Sequence, residues 1–282
     1  MELCYLNKKS EQAIFDAIPI VELSPIDVSF DSNLLIQSNN LVALKQLISQ
    51  YNLAGKIDLV YIDPPFATNH TFTVSESRAS TMSNALNGTI AYKDTLKGAD
   101  FIEFLRQRLV LLKMLLSDEG SIYLHIDYKI GHYVKIVMDE IFGIGNFRND
   151  ITRIKCNPKN FARKGYGNVK DLVLFYSKTD NLIWNEPKTI YTEEDRLKLF
   201  PKTESDGRRY TTIPLHAPGE TQNGKTAQAF RGILPPKGRH WRTNVAVLAQ
   251  WDEQGLVEWS DKGNPRKKIY FDEQEGKRMQ DV

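Results

Sequence analysis

The stretch that decides the fold reads KIDLVYIDPPFATNHTF, residues 56–72. An apolar run from Ile57 to Ile62 ends in a carboxylate, two prolines and an aromatic ring. A short run rich in β-branched and aromatic residues, closed by prolines, reads as a buried strand. In open α/β sheets the ligand crevice lies beyond the carboxyl ends of the strands. Asp63 to Phe66 therefore stand where a site belongs. Proline fixes φ and has no N–H, so this corner offers acceptors only: the Asp63 carboxylate and the Pro64 carbonyl. Two rigid acceptors beside the Phe66 ring form a receptor for a planar group bearing an amine, such as a nucleobase. Gripping the amine hydrogens would favour a pyramidal nitrogen and turn its lone pair towards an electrophile. Stacking of the base on Phe66 would add about 1–3 kcal/mol. A plain strand-end turn uses the same residue types; the strand before and the polar segment after favour a site.

That polar segment, residues 67–90, holds five Thr, four Ser and three Asn. It predicts a long loop, extending to residue 99, of the kind that serves as an active-site lid. On either side the chain alternates between strand and helix patterns. LLIQ (34–37) reads as a short strand, with Ser38, Asn39 and Asn40 as N-caps for a helix that carries Leu41, Leu44, Leu47 and Ile48 on one face. Residues 99–120 read as an amphipathic helix, opened by Asp100 and Glu103 in capping-box spacing and stopped by Gly120. SIYLHID (121–127) is the next strand. Val134, Val137, Met138, Ile141 and Phe142 then mark a helix closed by Gly143. DITRIK and KDLVLFYSK read as an antiparallel pair. This alternation predicts an α/β three-layer fold with a mostly parallel sheet. Past residue 185 the periodicity dissolves into a loop-rich second domain, in which Trp241, Trp251 and Trp259 require a core.

Charge divides the chain near residue 150. Residues 1–150 carry 13 Lys and Arg against 18 Asp and Glu, whereas residues 151–282 carry 24 against 17. Residues 151–170 and 221–251 hold no acid at all. Basic, acid-free stretches suit a phosphate backbone; charge alone is equally compatible with a solvated basic face. Hydrophobic residues make up 41% of 282 positions, enough for a sizeable core, and no secretory signal or membrane span is evident. A soluble, cytoplasmic protein is expected. Two cysteines without CxxC spacing and five scattered histidines give no metal site.

DLVYIDPPF resembles motif IV of the DNA amino-methyltransferases, which transfer methyl from S-adenosylmethionine to adenine N6 or cytosine N4. The likeness extends over LLIQSNNLVALKQL, YKD (92–94), FIEFLRQRLVLLKMLLSDEGSIYLHIDYK, MDEIFGIGNFRNDI and DLVLFYSK. The arrangement is similar to the β class found in type III and some type II restriction-modification systems. The resemblance implies a Rossmann-like methyltransferase sheet, permuted, and three regions: an N-terminal extension (1–33), a catalytic domain (34–185) and a target-recognition region (186–282). It implies that Asp63, Pro64 and Phe66 hold a base flipped from double-stranded DNA, with Pro65 shaping the turn. Phe66 stands where tyrosine is commoner, and Ser38-Asn39 where the family has Gly-Asp near the cofactor, so Asn39 and Asn40 are its cofactor candidates. An aspartate opening motif IV favours adenine over cytosine. Lys237, Arg239 and Arg242, with Trp241, are the candidates for DNA contact, against a reading in which Trp241 is core and the arginines are solvated.

The family's Phe-x-Gly-x-Gly cofactor turn is not found; FGIGNF (142–147) is nearest and reads as a helix cap. The resemblance thus covers what would be the N-terminal two-thirds of a methyltransferase, without motifs X and I and in that sense incomplete. Two functions are expected to compete: an adenine-specific DNA methyltransferase, or a catalytically silent DNA-binding specificity component. Cytosine N4 as the target is a further alternative. Expected partners are double-stranded DNA, a restriction subunit or a chain supplying the missing cofactor motifs, and a second copy as a homodimer.

Overall fold

The computed structural model describes residues 2–21, 33–64, 71–75, 78–80, 89–93, 98–155 and 164–282, the three short segments between 71 and 93 by their backbone alone. Two compact units divide the chain: Met1–Asn185 with Gln280–Val282, and Glu186–Met279.

The first unit runs α1 (Glu11–Ala17), α2 (Asn40–Ser49), β1 (Ile57–Ile62), β2 (Thr71–Ser75), β3 (Arg78–Ser80), β4 (Thr89–Lys93), α3 (Gly98–Leu115), β5 (Leu116–Asp127), α4 (Tyr128–Phe142), β6 (Phe147–Ile154) and β7 (Lys170–Ser177). Its main sheet has the order β1-β5-β7-β6. The period of two along β5 and β7 sends Ile122, Leu124, Ile126, Leu172, Leu174 and Tyr176 to one face. There they join Phe101, Leu105 and Leu109 of α3 and Val134 and Met138 of α4 in one apolar cluster. Helix α1 is part of that cluster through Ile14 and Ile18, and the Lys45 ammonium donates to the Ile18 carbonyl at 2.6 Å. Residues 1–33 therefore include core-forming structure. On the opposite face Tyr123 and Phe175 stack with ring centroids 4.3 Å apart.

Several expectations are corrected. Only β1 and β5 pair in parallel; β5–β7 and β6–β7 are antiparallel, so the described sheet is not mostly parallel. The antiparallel pairing of β6 and β7, expected from the sequence, brings β7 between β5 and β6. LLIQ forms no strand: Leu35 is fully exposed, and the run of three apolar residues finds no strand partner among the described residues. Part of the expected lid is a three-stranded antiparallel sheet of order β3-β2-β4, consistent with the β-branched content of TFTVS and TIAYK. Helix α3 begins at Gly98, which puts Asp100 inside its first turn, and it ends at Leu115. Gly120 lies within β5 instead of stopping the helix: a Cβ there would sit 2.8 Å from the Ile57 carbonyl oxygen. It lets β1 approach β5 closely, beside the irregularity in register between Ile57 and Leu59. Helix α4 buries the five predicted apolar residues, and Gly143 ends it at φ 90°.

The second unit contains β8 (Lys188–Thr189), α5 (Glu193–Leu199), β9 (Lys202–Thr203), β10 (Arg209–Pro214), β11 (His216–Pro218), β12 (Arg239–Trp241), α6 (Val245–Glu253), β13 (Val257–Trp259), β14 (Pro265–Tyr270) and β15 (Lys277–Arg278). A four-stranded sheet β13-β14-β10-β9 is joined by the ribbons β11–β12 and β15–β8. Its core is Leu215, Phe230, Trp241, Leu248 and Val257, with Trp251 and Trp259 packed against it. No described helix is long and apolar enough to cross a membrane.

Candidate active site

Strand β1 ends at Ile62, so Asp63 leaves the sheet at the carboxyl end of the strand, and Pro64 behind it is buried. Ile62 pairs with Leu124 of the parallel β5. One step further, that register sets Asp63 beside His125. The His125 Nδ1 lies 3.1 Å from Asp63 Oδ1; the imidazole is 8% exposed and the carboxylate 55%. A carboxylate is acceptor-only when ionised, so Nδ1 carries the N–H in this contact.

Behind His125 stands a row of charges from three strands. Asp127 of β5, Asp171 of β7 and Arg153 of β6 are register partners in turn. His125 Nε2 is 3.4 Å from Asp171 Oδ2, and Asp171 is 3% exposed. Lys155 reaches Asp171 at 2.6 Å and Asp127 at 3.6 Å, and Arg153 reaches Asp171 at 3.3 Å. Burial pulls the Lys155 ammonium down, but the hydrogen bond and charge of Asp171, with Asp127, carry it above its usual value. A carboxylate this buried requires partners, and it has two cations.

Asp63 also lines a cavity of about 410 Å³ with Ser38, Asn40, Val60 and Arg108. Arg108 donates from Nε to Asn40 Oδ1 at 2.9 Å and from Nη1 to the Phe104 carbonyl at 2.6 Å, and it lies over the Phe104 ring. Burial pushes its guanidinium down to about 10. No ion pair to a carboxylate is found for it among the described residues.

The expected residues fall in different places. Asp63 and Pro64 sit at the strand end; Pro65 and Phe66 lie outside the described residues. Asn40 lines the cavity, whereas the Asn39 side chain caps α2 by accepting from Leu41 N–H at 3.0 Å. In the second unit Lys237, Arg239 and Arg242 are exposed. Trp241 is fully buried and its indole donates to the Gln228 carbonyl at 2.9 Å, which makes it a core residue instead of a surface for a base. Lys202, Arg208, Lys268 and Lys277 are tied to carboxylates. Lys237, Arg239 and Arg242 form no such pair among the described residues. No cluster of metal-ligating side chains occurs among the described residues. The sequence reading missed His125, Asp127, Asp171, Arg153 and Lys155. The available signal was polar residues at alternate positions, His125 and Asp127, at the carboxyl end of an otherwise apolar strand.

The first unit is thus an α/β sheet with an acidic corner at a strand end and a cavity beside it. The sequence match identifies the class: residues 57–274 fit the model of the N6/N4 DNA methylase family, and the chain belongs to that family. Members of this family use S-adenosylmethionine. The chain is 39% identical over 239 residues to the type II methyltransferase M.EcaI of Enterobacter cloacae, covering 85% of this chain and 49% of that protein. It is 30% identical over 187 residues to a probable type III restriction-modification enzyme HindVI Mod subunit of Haemophilus influenzae, covering 64% and 22%. A solved M1.HpyAVI–SAM complex matches 56% of this chain and 60% of its own at 16% identity and a TM-score of 0.36. The chain spans about half the length of M.EcaI and less of the HindVI Mod subunit. The cavity beside Asp63 fits the cofactor in chemistry: apolar walls, neutral hydrogen-bonding Ser38 and Asn40, and one buried cation suited to a carboxylate.

Proposed function

We propose that this chain carries the acceptor side of DNA methylation at adenine N6, with the target base flipped out of the duplex. The observation that supports the reading is Asp63: one oxygen is tied to His125, while the carboxylate stays 55% exposed at the end of β1. When bound, S-adenosylmethionine supplies an electrophilic methyl group on a sulfonium. Asp63 and the Pro64 carbonyl accept hydrogen bonds from the amine and orient its lone pair. Asp63 then takes up the proton that the amine releases and passes it to water. On this reading catalysis comes from positioning and electrostatics. Ser38, Asn40 and Arg108 are the residues that would hold the cofactor.

Lys237, Arg239 and Arg242 are assigned to the phosphate backbone, because they are exposed and form no ion pair with a carboxylate among the described residues. Kinship with type II and type III restriction-modification enzymes supports a role in such a system, with a restriction subunit as a partner. Aspartate at the head of the corner favours adenine over cytosine N4. The test is nucleoside analysis, by liquid chromatography and mass spectrometry, of duplex DNA incubated with the protein and S-adenosylmethionine. N6-methyladenine is expected; N4-methylcytosine would overturn the choice of base, and no methylated base would overturn the reading.

A further inference from the structure

The charged row behind Asp63 deepens the proposed methyl transfer, and its role rests on that reading. We propose that His125 is a positioning residue: it pins one oxygen of the Asp63 carboxylate and leaves the other to the target amine. An aspartate at a strand end is otherwise free to turn about two side-chain bonds. Productive sites hold their groups to within about 0.5 Å and 10–20°. The 3.1 Å contact from Nδ1 to Oδ1 supplies that restraint from a ring that is itself 8% exposed.

The ring is restrained in its turn. The imidazole is 8% exposed and so is held by the packing around it; Nε2 lies 3.4 Å from Asp171 with no hydrogen bond between the two, and Asp171 is held by Lys155 at 2.6 Å and Arg153 at 3.3 Å. These groups come from β5, β6 and β7 with the residue after β6, so the orientation of Asp63 is set by the pairing of the whole sheet.

A space-filling role for His125 would tolerate any side chain of similar volume. A positioning role requires an N–H at the Nδ1 position. The amide nitrogen of asparagine can supply one there, whereas leucine supplies none. The experiment uses the full chain, unmethylated plasmid DNA and methyl-labelled S-adenosylmethionine, and follows single-turnover transfer, DNA affinity and the imidazole 15N spectrum. His125→Leu should slow transfer at saturating DNA roughly 10- to 100-fold, as expected for losing a hydrogen bond to a charged group, with unchanged DNA affinity. His125→Asn should recover most of the rate. Asp63→Ala should move the His125 Nδ1 signal. Wild-type transfer by His125→Leu, an Asn variant as slow as the Leu variant, or an unmoved Nδ1 signal would each overturn the proposal. Absence of transfer by the wild-type chain would instead overturn the methyltransferase reading, and the role of His125 with it.

Discussion

Replacing Gly120 with alanine should loosen the sheet and the site together. The new Cβ would lie 2.8 Å from the Ile57 carbonyl oxygen, 2.9 Å from Leu116 Cδ2 and 3.0 Å from the Ser117 carbonyl oxygen. The leucine methyl can rotate away; the two carbonyls are backbone. An ordinary C···O contact needs roughly 3.3 Å, so β1 must move by about 0.5 Å from β5. Overpacking of this kind costs about 1–3 kcal/mol. For a unit of this size, about 2 kcal/mol corresponds to a fall in Tm of roughly 4–8 °C. The same displacement acts on the strand that carries Asp63, whose 3.1 Å contact to His125 has little room to lengthen before it ceases to be a hydrogen bond. Thermal unfolding of Gly120→Ala is to be compared with Gly145→Ala, where nothing lies within 4 Å of the added Cβ. If both variants unfold within a degree of the wild type, the close approach of β1 and β5 does not depend on Gly120 and the reasoning fails.

Three further outcomes are expected. Trp241→Ala should destabilise the second unit by about 3–5 kcal/mol, because a fully buried indole leaves a cavity and the Gln228 carbonyl loses its donor; tryptophan-fluorescence unfolding in urea measures it, and a loss under 1 kcal/mol contradicts it. Joint replacement of Lys237, Arg239 and Arg242 by alanine should weaken DNA binding and flatten its dependence on log salt by up to about 3 units, near 0.9 for each phosphate no longer neutralised; an unchanged slope would remove these residues from the DNA surface. Tyr210 and Tyr270 donate to Glu258 and Glu204, and burial together with those carboxylates pushes both phenols up to about 12 from 10.0. The folded state therefore holds these protons more tightly than the unfolded state. Their contribution is complete below pH 10.0 and is lost as pH rises to about 12. Unfolding midpoints should fall across that window, less steeply in Tyr210→Phe and Tyr270→Phe; identical slopes would contradict the assignment.

What the sequence revealed depended on whether the signal was local. Helix α4 was legible because five apolar residues at helical spacing lie within nine positions and all become buried. Strand β7 was legible as a continuous apolar run, with Leu172, Leu174 and Tyr176 on the core face and Phe175 on the other. Asp63 stood out because a strand end followed by prolines is a local pattern. Its partners were not legible. His125 lies 62 residues from Asp63 in sequence, and Asp171 enters from an antiparallel neighbour, so their meeting depends on register across three strands. Gly120 was misread for the same reason: the atom that requires a glycine belongs to Ile57 on another strand. The three short strands between 71 and 93 are too brief for alternation to distinguish them from a polar loop. Trp241 beside Arg239 and Arg242 read equally well as a DNA contact or as core, and the ribbon β11–β12 turns the ring inward and leaves Arg239 and Arg242 outside.

The most direct test separates transfer from binding at Asp63. Single-turnover methylation and DNA affinity are measured side by side for the wild type and Asp63→Ala. The account predicts that the variant transfers no methyl group and binds DNA as the wild type does, since on this account affinity rests on the basic half of the chain, residues 151–282. Transfer persisting without the carboxylate, or DNA affinity falling as far as transfer, would contradict it.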